Sequence, residues 1–123
     1  MTKALVAIGD PRKRQDMAID VQALGLDVLL AADGDRAIAM AEVHKPDLLI
    51  CSLRLAGHSA YLVLERLSAT LDYPLPALVV ASRRDVGHRG ERWLNLLGGH
   101  VIDDHSGSEE LSAAVEKACS AHV

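Results

Sequence analysis

Six histidines, two cysteines and a run of arginines are the side chains in this 123-residue sequence whose types could bind a metal, attack an electrophile or hold an anion. The histidines (His44, His58, His88, His100, His105 and His122) are scattered along the chain. No pair has the i, i+4 helical spacing or the CxxC company of a zinc site, so solvated surface histidines are expected. His100 and His105, with Asp103 and Asp104 between them, are the one cluster that could act as a weak transition-metal or pH-sensing group, at the carboxyl edge of a sheet. Cys51 sits in the apolar run Leu48-Leu49-Ile50-Cys51 and Cys119 lies far from it, which fits two inert buried thiols in a reducing cytosol rather than a disulfide.

The basic run Arg83, Arg84, His88, Arg89, Arg92 could attract an acidic partner or a phosphate, against the plainer expectation of a solvated helix face. Trp93, the only tryptophan, is either a plug against the core or an exposed anchor for a partner, and core is the expectation. Arg12-Lys13-Arg14 opens a helix, where cations oppose the macrodipole at a cost of a few tenths of a kcal/mol. A solvated face is expected there too, although the cost invites a functional reason. No GxSxG, P-loop or GxGxxG occurs, so hydrolase, NTPase and dinucleotide-dependent dehydrogenase chemistry lack local support, and no enzyme activity is expected.

Half of the residues are apolar, 24% are charged, and the formal net charge is -4, which argues against a nucleic-acid partner. No apolar stretch approaches a membrane span, and the first residues run straight into a strand without room for a signal peptide. A single cytoplasmic domain over residues 1–123 is expected, long enough to hide roughly two thirds of its unfolded surface without a metal or disulfide staple.

Short runs of Val, Ile and Leu alternate with longer amphipathic stretches, the pattern of an α/β fold whose parallel sheet is covered by helices on both faces. Leu5–Ile8 reads as the first strand, and Pro11 opens a helix with apolar positions Met17, Ala18, Val21 and Leu24, stopped by Gly25. Asp27–Ala31 is the second strand, followed by the Asp33-Gly34 turn and a helix through Ala37, Ile38 and Ala41 that ends before Pro46. Leu48–Leu53 is the strongest strand. Tyr61, Leu62, Leu64 and Leu67 mark a third helix, Pro76–Ala81 a fourth strand, and Val101-Ile102 a brief fifth. Gly87 and Gly90 weaken a helix between Ser82 and Leu97 by about 1 kcal/mol each, so its first half reads as loop. The last helix runs from Ser108, as N-cap, to Cys119, with Leu111, Ala114, Val115 and Ala118 facing the core.

This order of elements resembles the receiver domain of bacterial two-component response regulators. Ala7-Ile8-Gly9-Asp10-Pro11 stands where that family has a strand ending in VDDDP, and Ala31-Ala32-Asp33-Gly34 matches its AADG turn. His44-Lys45-Pro46-Asp47-Leu48-Leu49 matches its entry to the third strand, Leu55-Ala56-Gly57 its LPG, and Leu97-Gly98-Gly99 its LGA before the last strand. The resemblance implies a flavodoxin-like, doubly wound five-stranded parallel sheet with strand order 2-1-3-4-5.

It also implies a degenerate phosphoacceptor pocket. Ser52 takes the acceptor position, and Ile8 and Gly9 take the two metal-binding acid positions, leaving Asp10 as the only acid of the three. An unactivated serine hydroxyl is a poor nucleophile, and one carboxylate is too few for a magnesium site. The switch hydroxyl becomes Ala81, with Ser82 beside it. The lysine and proline of the last loop become Asp104-His105 or His105-Ser106, and the switch aromatic Val101 or Ile102. An inward Ile8 in place of a carboxylate would also relieve charge repulsion at the strand ends.

The resulting expectation is a stand-alone receiver-like signalling or scaffolding module, without metal or cofactor, acting through phosphorylation-independent contacts with a protein partner. Arg89, Arg92 and Trp93 are its candidate partner surface. The resemblance adds a homodimer through the face formed by the fourth helix, fifth strand and fifth helix. A flavodoxin-like module holding a nucleotide or other anion near Ser52, Ser82 and Arg83 is the alternative, and modification of Ser52 by an external kinase a third.

Overall fold

Apolar side chains alternate faces along each central strand, so the sheet they form is buried on both sides. In the computed structural model, which describes residues 2–55, 57–103 and 108–120, five parallel strands build that sheet: β1 (Lys3–Ala7), β2 (Asp27–Ala31), β3 (Leu48–Ser52), β6 (Ala77–Val80) and β7 (Gly99–Ile102). Their order is β2-β1-β3-β6-β7. Once the short antiparallel hairpin β4 (Arg54–Leu55) and β5 (His58–Ser59) is set aside, this is the doubly wound order 2-1-3-4-5 that was expected.

Leu5, Ala7, Leu49, Cys51 and Val79 face one layer, made by α2 (Gly34–His44), α3 (Ala60–Thr70) and α4 (Arg83–Leu96). Val6, Ile8, Leu48, Ile50, Leu78 and Ile102 face the other, made by α1 (Pro11–Ala23) and α5 (Ser108–Ser120). The two sets differ by one residue along each strand, as the pleat requires. Register is set by pairs such as Ala7 with Cys51 and Ser52 with Val80, which bring the carboxyl ends of β1, β3 and β6 level.

Local chemistry explains the helix bounds. α1 begins where Asp10 caps and Pro11 supplies a preset φ. The chain leaves it through Gly25 at φ +91°, a conformation that disfavours any residue with a Cβ. Leu24 is part-exposed at the cap rather than buried with Ala18 and Val21. In α3 the buried line is Ala60, Val63, Leu64 and Leu67; Leu62 is exposed and Tyr61 only partly buried, a shift of phase from the expected stripe.

The segment after Ser82 is more helical than its glycines suggested. Arg83 to Val86 form a helical turn, Gly87 breaks it with φ +71° and ψ 172°, and the helix resumes through Leu96. Gly90 lets α4 lie close to α3: a Cβ there would meet the hydroxyl end of Tyr61 and crowd Val86 of its own helix. The cap of α5 lies outside the described residues. No helix among the described residues is long and apolar enough to cross a membrane.

Candidate functional site

The carboxyl ends of β1, β3 and β6 open onto a crevice of about 310 Å³. The structure brings Ile8, Gly9, Asp10, Ser52 and Ala81 together there, with Ser82 beside them. Asp104 and His105 lie outside the described residues. Lys13, Arg54 and Asp85 also line the crevice and were not singled out for it from the sequence. Their signal was positional: Lys13 is three residues beyond the Asp10 cap, and Asp85 three beyond Ser82, each one helical turn on.

Of the residues expected at the crevice, Asp10, Ile8, Ser52 and Ala81 are already engaged. Asp10 accepts from the backbone N–H groups of Arg12 (2.9 Å) and Lys13 (3.3 Å), closing the first turn of α1. Ile8 is buried in the layer under α1 and α5, and its carbonyl accepts from Arg14 Nη1 at 2.9 Å. Arg14 is therefore partly buried and anchored, while Arg12 stays exposed as expected. Gly9 contributes only backbone. The Ser52 hydroxyl donates to the Arg54 carbonyl at 3.1 Å. Ala81 continues the β6 ladder by donating its N–H to the Ile102 carbonyl at 3.0 Å, and its methyl is buried. Ser82 holds the N-cap position of α4 without a side-chain capping bond.

Among the described lining side chains, two carboxylates (Asp10 and Asp85) and two cations (Lys13 and Arg54) balance in formal charge. Beneath it, Cys51 is fully buried, and desolvation pushes its thiol up to about 12, far from a thiolate at neutral pH. Cys119 departs from expectation in being only partly buried; burial first, then the charge of Asp47, raises its pKa.

Of the described histidines, His44, His88 and His100 are exposed. His58 is not: its imidazole packs on Gly34, Nε2 lies 3.1 Å from Asp35 Oδ1, and Nδ1 is buried without a partner. It pins the β4–β5 hairpin to the start of α2. No group of three or more His, Cys, Asp or Glu could hold a metal ion among the described residues.

In the basic run, Arg83 reaches Glu91 Oε1 at 3.4 Å and the Val101 carbonyl at 3.5 Å, whereas Arg84, His88, Arg89 and Arg92 are exposed. Trp93 corrects the core expectation. It is 50% exposed, because α4 buries the line of Val86 and Leu94 and seats Gly90 against α3.

No protein-family model matches the chain. It is similar to the transcriptional regulatory protein PdtaR of Mycobacterium tuberculosis, with 27% identity over 88 residues, 71% of this chain and 43% of the relative. The chain thus spans less than half the length of the curated relative it matches. Among solved structures, the receiver domain of Francisella response regulator 1452 superposes with a TM-score of 0.88 at 16% identity, covering all of both chains. Vibrio cholerae chemotaxis protein CheY4 superposes at 0.83 and 19% identity, over 96% of this chain and 98% of that one. The chain has the fold of response-regulator receiver domains.

Proposed function

We propose that this chain is a receiver-like module that signals or scaffolds through protein contacts without aspartyl phosphorylation, with Ser52 standing where an acceptor carboxylate would. The observation that carries the reading is the state of the three positions after β1. Ile8 is part of the core, Gly9 has no side chain, and the Asp10 carboxylate is occupied in capping α1. A hard divalent cation needs several oxygen donors, and phosphoryl transfer needs that cation against the developing charge. The module is then a binding protein of the cytoplasm rather than an enzyme.

The test is incubation with acetyl phosphate and magnesium followed by intact-mass measurement. The expected result is an unmodified chain. A phosphoryl adduct that disappears in Asp10→Ala would overturn the proposal, because the acid pocket would then be competent.

A further inference from the structure

We propose that two copies of this chain pair through the α3–α4 face. On α4, the Arg83 side chain reaches both Glu91 and the Val101 carbonyl, which marks the flank turned toward β7. Tyr61 of α3 lies over Gly90 on the inner side. At about 100° per residue, Trp93 and Leu96 therefore project from the opposite flank, toward α3. Both are exposed, Trp93 by 50% and Leu96 by 81%.

Leu96 borders a groove of about 540 Å³ that α3 lines with Leu64 and Leu67 and its C-cap with Leu71, and that Leu75 and Leu97 close. An apolar ridge thus stands beside a groove that joins these leucines to the polar Ser68, Asp72 and Tyr73 on one face. The rims carry opposite charges. Asp72 lines the groove, and Glu65 sits one turn before Ser68, another lining residue; Arg89 and Arg92 flank the ridge. None of these four forms an ion pair with any described residue.

A two-fold contact requires a surface complementary to itself. This one offers a ridge for the partner's groove, and an arginine rim for the partner's acidic rim, each used twice. A purely acidic peptide would meet Glu65 and Asp72, and a purely basic one Arg89 and Arg92, so a second copy satisfies the mixed rim better than either. The pairing goes beyond the reading of the crevice and does not depend on it.

Sedimentation equilibrium at about 100 µM chain is expected to show a dimer. Trp93→Glu with Leu96→Glu should be monomeric and, at a dilution that keeps wild-type chains apart, should unfold at the wild-type temperature, both side chains being exposed. A chain carrying Arg89→Glu and Arg92→Glu, and another carrying Glu65→Arg and Asp72→Arg, should each self-associate at least about tenfold more weakly and form a heterodimer on mixing. A strictly monomeric wild type, a Trp93 and Leu96 double variant that stays dimeric, or failure of the mixed pair to associate would each overturn the pairing. So would a monomer that instead binds a labelled acidic amphipathic peptide. None of these results bears on the phosphoryl-transfer assay, so the two proposals fail separately.

Discussion

Arg14 Nη1 donates to the carbonyl oxygen of Ile8 at 2.9 Å, tying the second turn of α1 to the end of β1. A hydrogen bond from a charged donor contributes more than a neutral one, and its loss strands a part-buried acceptor. Arg14→Ala is therefore expected to lower unfolding free energy by about 1.5–3 kcal/mol, read from urea midpoints at unchanged m. Arg12→Ala, at the exposed neighbouring position, should stay within about 0.5 kcal/mol.

Gly34 opens α2 under the His58 side chain, where an added Cβ would collide with the imidazole and its Cβ. Gly→Ala in a helix usually gains up to about 1 kcal/mol. Here the sign should reverse, with a loss of about 1–3 kcal/mol from overpacking. Chemical-shift changes should concentrate in Arg54 to Ser59, the hairpin that His58 holds down. Loss of stability without those shifts would mean the hairpin does not rest on α2.

Burial raises the Cys51 thiol from an ordinary 9.0 to about 12. The folded pKa lies above the unfolded one, so its stabilising effect is complete below about pH 9 and is lost as pH climbs toward 12. Each unit in that window removes up to about 1.4 kcal/mol. Cys51→Ala should flatten the alkaline fall in stability. Tyr73 and Cys119 shift in the same direction, the leading cause in each being burial, so some slope should persist. With Ellman's reagent at neutral pH, the native chain should show one accessible thiol, Cys119, and Cys51 only on unfolding.

Leu94 and Trp93 are neighbours with opposite fates. Leu94 is fully buried and Trp93 half exposed, so Leu94→Ala should cost about 2–5 kcal/mol. Trp93→Ala, measured at a dilution that keeps chains apart, should stay within about 0.5 kcal/mol. Equal losses would mean that the indole is part of the core.

That contrast shows where sequence reasoning reached and where it stopped. β1 and β3 were legible because a strand buried on both faces reads as an unbroken apolar run, and α1 because Pro11 and Gly25 punctuate it locally. Trp93 was misplaced because size alone suggests burial. What decides it is the seating of Gly90 on Tyr61, a contact between residues 29 positions apart. The β4–β5 hairpin was invisible for a related reason. Two-residue strands carry no periodicity, and the pairing of Leu55 with His58 depends on α2 behind it. In the crevice, Ile8, Gly9, Asp10 and Ser52 were legible by position in the chain. Lys13 and Asp85 were not, since a helical turn delivers them from outside the strand ends.

Restoring carboxylates at the end of β1 should separate the two positions. Gly9 is exposed, and a Cβ there would find its nearest neighbour, the Ala32 carbonyl, at 3.9 Å, so Gly9→Asp should change stability by no more than about 0.5 kcal/mol. Ile8 is 4% exposed and belongs to the core layer under α1 and α5, so Ile8→Asp loses apolar burial and desolvates a charge, a cost of at least about 3 kcal/mol at neutral pH. The buried carboxyl would titrate above the unfolded value of about 3.9. The charge component of the cost should therefore vanish below that pH, grow as pH rises above it and reach its full value at the folded pKa. Urea unfolding of both variants across that range is the measurement. A stable Ile8→Asp at pH 7 would place the side chain in the solvent-facing crevice instead of the core, and would reopen the site to a metal.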